Sequence, residues 1–238
     1  MSFESVLKAA QDGDPDAQVA MGYMFFKGEG VSQDRREAAR WFGLASDQGN
    51  PEAMCNLGYI KAHGMGVRCD IPGAMELYER SAEKGYPQAM FNLGFMYSDA
   101  VEVEQDWEKA RYWYSRAAEA GSTVALHRLG VILEEGRGCE PDPEGARECY
   151  TKAFEAGYPR SGVRLGRMLM SQGKTDKASK IMIRAADMGS EDAMYELGRM
   201  SLSGEGMVRS ENNARKWLRK AAARESAEAA ALLEELDR

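Results

Sequence analysis

The 238-residue chain has little of what many functional classes require. Only two histidines are present, His63 and His127, and the four cysteines, Cys55, Cys69, Cys139 and Cys149, form no C-x-x-C pair. Structural zinc sites use closely spaced Cys or His pairs, so neither a metal nor another cofactor is expected. No export leader is visible, because Met1 to Gly13 carries Glu4 and Asp12 and lacks a basic start and an apolar stretch. Together with unpaired thiols this predicts a reducing, cytoplasmic setting. No apolar run approaches the roughly 18 residues of a membrane span, and the mean hydropathy is −0.52. There is no basic excess either. Acids outnumber bases 38 to 31, for a net charge of −7. That argues against a general nucleic-acid binder or an anionic-membrane binder. Apolar residues make up 44% of the chain, enough for a packed core.

What is present is a repeat. Glycines recur at Gly22, Gly58, Gly94, Gly130, Gly166 and Gly198, in steps of 36 except for a last step of 32. Five residues upstream stand Ala17, Ala53, Ala89, Ala125, Ser161 and Ala193. Met21, Leu57, Leu93, Leu129, Leu165 and Leu197 precede the glycines, and Met24, Ile60, Met96, Ile132, Met168 and Met200 follow two residues later. Spacing of i, i+4, i+7 is one face of an α-helix, here helix A. A second set begins at Ala38, Ala74, Ala110, Ala146, Ala178 and Ala214. It continues with Trp41, Leu77, Trp113, Cys149, Ile181 and Trp217, then Ala45, Ser81, Ala117, Ala153, Ala185 and Ala221, which marks helix B. Gly49, Gly85, Gly121, Gly157 and Gly189 sit where helix B should end in a left-handed cap. Small residues let helices approach while bulky ones fill the space beside them, and stacked pairs bury faces that a single pair cannot.

The same phase extends to both ends. Residues 3–13 read as a lone helix B and residues 226–238 as a lone, charged helix A. Between them lie repeats at about 14–50, 51–86, 87–122, 123–158, 159–190 and 191–225. The turn Gly28-Glu29-Gly30-Val31 recurs at Gly64, Gly136 and Gly204, with no preceding strand, so it reads as a helix-to-helix turn and not a phosphate loop. The third unit departs from this with Ala100-Val101-Glu102, and the fifth is four residues short with Ser171-Gln172-Gly173-Lys174.

The pattern A-x-x-x-[LM]-G-x-[MI], G-x-G-V, A-x-x-[WL]-[YF], A-x-x-x-G resembles the Sel-one-like repeat (SLR), a subgroup of the tetratricopeptide-like helical repeats. The resemblance spans essentially the whole chain. It implies one all-α domain, a right-handed α-α solenoid superhelix of about six helix pairs plus terminal capping helices. It also implies a non-catalytic adaptor or scaffold for a protein or peptide partner. Some bacterial repeat proteins of this kind act as immunity-type inhibitors of a secreted effector. A secreted, cysteine-rich branch has penicillin-binding or β-lactamase activity and one disulfide per repeat. Cys55 could match its first position, but the late helix B positions hold Ser81 and Ala82, and the other repeats lack both cysteines. No enzyme is therefore expected.

Two residues of helix rotate by about 200°, so positions 19, 23 and 26 lie opposite the core stripe. In tetratricopeptide-like stacks that side lines the concave groove. Tyr23, Phe26, Tyr59, Phe91, Phe95 and Tyr195 fall on it, as do His127, Arg167 and Arg199. The aromatics are expected either to anchor a partner or to pack neighbouring A helices together. Charge is uneven along the chain: residues 1–150 carry a net −10 and residues 151–238 a net +3. The phase suggests inter-repeat pairs Arg160–Asp192 and Arg164–Glu196. Arg167 and Arg199 would then face each other as like charges and favour an external anion such as a partner carboxylate.

Overall fold

The computed structural model describes residues 3–99 and 104–237, so most of the irregular stretch expected at Ala100 to Asp106 lies outside the described residues. Among the described residues there is no strand, and fourteen helices follow in chain order. They are α1 (Phe3–Gln11), α2 (Pro15–Lys27), α3 (Arg35–Asp47), α4 (Pro51–Ala62), α5 (Ile71–Glu83), α6 (Pro87–Asp99) and α7 (Trp107–Glu119), then α8 (Thr123–Glu135), α9 (Pro143–Glu155), α10 (Pro159–Ser171), α11 (Thr175–Asp187), α12 (Glu191–Ser203), α13 (Glu211–Ala222) and α14 (Ala227–Leu236). The first unit, Met1–Ser122, holds α1 to α7, and the second, Thr123–Arg238, holds α8 to α14. Within each unit, helices pack on their chain neighbours.

The recurring helix A glycine has a steric cause. A Cβ on Gly22 would lie 2.5 Å from the Phe42 ring, and Gly58, Gly94 and Gly130 meet Tyr78, Tyr114 and Tyr150 in the same way. Gly166 meets Met182 and Gly198 meets Leu218. Each glycine is the slot that admits one bulky helix B side chain. All six partners are core residues, none more than 2% exposed. Full burial of such a side chain contributes roughly 1.5–3 kcal/mol. The side chain in the slot stands one residue after the bulky position of the sequence pattern, where Trp41 and Leu77 are buried and Trp113, Cys149, Ile181 and Trp217 are partly buried.

Caps set the helix ends. Asp14, Asp34, Asn50, Asp70, Asp106 and Asp142 accept backbone N–H bonds at helix N-termini, and Ser190, Ser210 and Ser226 do so in the last repeats. The short fifth repeat differs from these. Tyr158 and Lys174, at the N-caps of α10 and α11, make no side-chain cap bond. In the G-x-G turns both glycines have positive φ, as at Gly64 (61°) and Gly66 (73°). Gly66 also lies against the Arg35 backbone, where a Cβ would approach to 2.7 Å. The turn is therefore a packing element, which agrees with the helix-to-helix reading. At the C-terminus Leu233 and Leu236 are half-buried against a cluster that includes Leu218 and Ala221. Arg215 of α13 bonds Asp237 and the Leu236 carbonyl, fastening α14.

Candidate functional site

On the first unit, the stripe opposite the core runs along α2, α4 and α6. Tyr23 is committed to internal bonds. Its hydroxyl donates to Glu52 Oε1 (2.8 Å) and accepts from Asn56 Nδ2 (2.9 Å), while its ring meets Phe42 edge-on at 5.4 Å. Burial, with Glu52 beside it, pushes the phenol up to about 12. Phe91 is half-buried against Tyr114 at 5.5 Å. Phe26 is half-buried and sits edge-on to Tyr59 at 6.5 Å. Two stripe residues remain open: Tyr59 is 39% exposed and Phe95 37%. The exposed ring of His63 lies 4.2 Å from Tyr59, tilted by 36°. Beneath them Cys55 is buried, with Asn92 Nδ2 3.6 Å from its sulfur, and burial pushes the thiol up to about 12.

On the second unit, α8, α10 and α12 carry a more polar stripe. His127 Nδ1 lies 3.0 Å from Ser161 Oγ, and its ring packs on Tyr158 (5.1 Å) and Tyr150 (5.6 Å). Burial, reinforced by Arg164, Arg128 and Arg160, lowers its pKa to about 4. Tyr195 is half-buried against the core of this unit. Tyr150 donates to Glu134 (2.7 Å), which also accepts from Arg164 (3.2 Å).

The expected ion pairs are corrected. Arg164 pairs backward with Glu134 and Glu135, not with Glu196. Among the described residues no ion pair joins Arg160 to Asp192. Arg167 and Arg199 do not face each other uncompensated, because the Glu196 carboxylate lies between them. Arg167 Nε (2.8 Å) and one terminal nitrogen (2.7 Å) both reach Glu196 Oε1, and Arg199 comes to 3.5 Å of its other oxygen. The Glu196 side chain is only 6% exposed, a burial made tolerable by Arg167.

Three residues of this surface, Glu52, Asn56 and His63, were not placed on it from the sequence, and Glu196 was placed there with Arg164 in place of Arg167 as its partner. A signal for two of them exists. The position two before the helix A glycine holds Asn56, Asn92, Arg128, Arg164 and Glu196, a polar residue in nearly every repeat. From there Asn56 and Glu196 reach the residue that follows the preceding repeat's glycine, Tyr23 and Arg167. Among the described residues no group of three or more His, Cys, Asp or Glu converges on a metal-sized site, and no helix is long and apolar enough to cross a membrane.

The Sel1 repeat family matches residues 15–50, 51–86, 87–122, 123–158 and 191–226. The short fifth repeat is outside the matched segments. Among solved structures, the chain is similar to a Sel1 repeat protein from Oxalobacter formigenes, at 28% identity with a TM-score of 0.81, covering 93% of this chain and 99% of that one. It is also similar to c5321 of uropathogenic Escherichia coli, a protective antigen with an SLR fold, at 28% identity and a TM-score of 0.60, over 97% of this chain and 58% of that one. The immunity protein Pa5087 of Pseudomonas aeruginosa shares the fold at 20% identity and a TM-score of 0.54, over 90% and 83% of the two chains. A search of curated proteins gives no significant match.

Proposed function

Because the chain belongs to the Sel1 repeat family, we propose that it works without catalysis, holding a partner protein or peptide on the open face of its A helices. The observation that carries this reading is the exposure of Tyr59 and Phe95. They occupy the same repeat position on α4 and α6, and His63 and Phe26 extend the patch. Large aromatics left in water beside an otherwise closed core are typical anchors for a partner. Their neighbour Tyr23 is held by Glu52 and Asn56 and serves packing. Arg199 is the corresponding open position of the last repeat, and Phe26, Phe91, His127, Arg167 and Tyr195 border the two faces.

Other observations support a non-catalytic role. Ser161, whose hydroxyl lies on His127 Nδ1, is buried away from any open surface. All four cysteines are free, unlike the disulfide-bearing secreted branch, and free thiols fit a cytoplasmic setting. The likeness to an immunity protein extends to the fold alone. The test begins with affinity capture from the native cell, mass spectrometry and titration of the captured partner. Tyr59→Ala and Phe95→Ala, each confirmed as folded by circular dichroism and melting, should weaken binding by about 2 kcal/mol, roughly thirtyfold. Folded variants that bind as tightly as the parent would remove this face from consideration.

A further inference from the structure

Helix B of the first four repeats is capped by an aspartate, Asp34, Asp70, Asp106 or Asp142, and that of the sixth by Ser210. The fifth has Lys174 there, and Lys177 follows in the first turn of α11. Both cations stand at the positive end of the helix dipole, so helix stability does not account for them. Lys177, Lys180, Arg184 and Met188, at i, i+3, i+7 and i+11, form one exposed stripe of α11. Asn213, Lys216, Lys220 and Arg224, each 36 residues later, repeat that stripe along α13 and just past its end. The two stripes are neighbours. Arg224 Nη1 is 3.4 Å from the Gly189 carbonyl beyond α11, and both helices share one core cluster. Neither stripe contains an acid. The ion pairs of this unit fall on Arg137, Arg147, Arg164, Arg167, Arg199 and Arg215, and among the described residues none reaches the six stripe cations. Two of the six rest on rings instead, Arg184 over Phe154 at 4.7 Å and Lys220 over Trp217 at 4.4 Å. Such contacts position a cation without neutralising it. The acids of these helices stand off the stripes: Asp176 and Asp187 on α11, and Glu211 on α13, which Arg215 holds.

We propose that the paired stripes dock an acidic helix of a partner protein, with carboxylates at i, i+3 and i+7 along one side and an apolar residue one turn further on. The stripe from Lys177 to Met188 runs about 16 Å at 1.5 Å per residue, so a helix laid along it matches the spacing of the cations. Lys180 and Lys216 hold one equivalent position, and Arg184 and Lys220 the next, so the cations come in matched pairs. The apolar residue covers Met188 and Ile183, which are 37% and 38% exposed. The surroundings favour a peptide over a nucleic acid. The chain is −7 overall. On α9, which supplies Phe154 beneath Arg184, Glu148 stands exposed at the position of Lys180 and Lys216, and Glu155 is exposed one turn beyond Lys152. A phosphate backbone running past the two stripes would meet these acids, and it would leave Met188 and Ile183 uncovered. This surface lies on B helices of the second unit, so it goes beyond the aromatic patch of the first.

The probe is a dye-labelled peptide of about 18 residues, held helical by a hydrocarbon staple, with glutamates at i, i+3 and i+7 and leucine at i+11 on an alanine background. It is compared with a peptide of the same composition whose glutamates are spread around the helix, and with a DNA duplex of similar length. Binding to the full chain is read by fluorescence anisotropy. The one-sided peptide should bind saturably and more weakly as salt rises. The spread peptide and the duplex should each bind at least about fivefold more weakly. Lys180→Glu combined with Lys216→Glu should lower affinity at least about tenfold. A peptide with lysines in place of the glutamates should bind that variant and not the parent. Circular dichroism and melting check the fold, and Lys180→Gln combined with Lys216→Gln should give a smaller loss without adding acids. Tyr59→Ala and Phe95→Ala should leave these affinities unchanged, so failure of the first-unit patch is read separately. No binding by the parent, equal binding of the spread peptide, tighter binding of the duplex, or undiminished affinity in the folded charge-reversed variant would each overturn the proposal.

Discussion

His127 is held neutral between two tyrosines, and its titration opposes folding. Its pKa falls to about 4 because burial, and then Arg164, Arg128 and Arg160, disfavour the imidazolium. In the unfolded chain it titrates near the ordinary 6.5. Its folded pKa is the lower of the two, so the unfolded state binds the proton first. The stability linked to neutral His127 is complete above about pH 6.5 and is lost as pH falls toward 4, at no more than about 1.4 kcal/mol per pH unit. Asp70 and Asp106 are also held below the ordinary 3.8, chiefly by backbone N–H bonds at their helix caps. Their contribution is lost only at lower pH, which separates the two windows. His127→Asn should therefore flatten the stability profile between pH 6.5 and 4 in denaturant titrations. A variant that keeps the parent slope would contradict this. The sequence placed His127 on the stripe but not in this environment, since Tyr150, Tyr158 and Ser161 lie 23 to 34 residues away. Glu196 was assigned to Arg164 for a similar reason. Equal spacing says which positions are equivalent, but not whether a side chain reaches forward or back.

At the scale of helices, both helices of the fifth repeat lack a side-chain cap, since Tyr158 and Lys174 give α10 and α11 no side-chain acceptor. A lysine at an N-cap also places a cation at the positive end of the helix dipole. Lys174→Asp should add about 1 kcal/mol, visible as a rise of about 2–4 °C in melting temperature. Asp34→Ala, which removes the acceptor for Arg36 and Glu37 N–H at α3, should cost a similar amount. No change in either variant would show that caps do not limit stability here. The last helix behaves differently, because α14 is held by Leu233, Leu236 and the Arg215 bonds. Removing residues 226–238 exposes the helices beneath at about 25 cal/mol per Å² of apolar surface. The truncated chain should melt lower and aggregate; an unchanged melting curve would contradict the cap. Helix phase was legible in the sequence because glycine and alanine mark every close approach. The slot filler was less legible, because two adjacent helix B positions carry bulky side chains, Trp41 with Phe42 and Trp217 with Leu218, and only the second of each pair faces the glycine.

Across the whole chain the fold was legible because almost every packing relation is local and repeats with one period. The second unit's core illustrates this: Leu218 is fully buried in a cluster with Met182, Leu197, Met200 and Ala221, all from α11 to α13, and α14 adds Ala229. The open positions were less legible. Tyr59 stays open although Asn92 stands where Asn56 serves Tyr23, because Asn92 approaches the Cys55 sulfur instead, a choice that composition and period leave undetermined. A protein assembled from neighbour contacts approximates a one-dimensional array, in which damage stays near its source and a single two-state transition is not required. Leu218→Ala leaves a cavity in the slot beside Gly198 and should cost about 2–5 kcal/mol. That loss should fall on α12 to α14 of the second unit. Native-state hydrogen exchange should show faster exchange in those helices while α2 to α5 of the first unit keep the parent's protection. Equal acceleration in both units would mean that the chain unfolds as one cooperative body and would contradict local coupling.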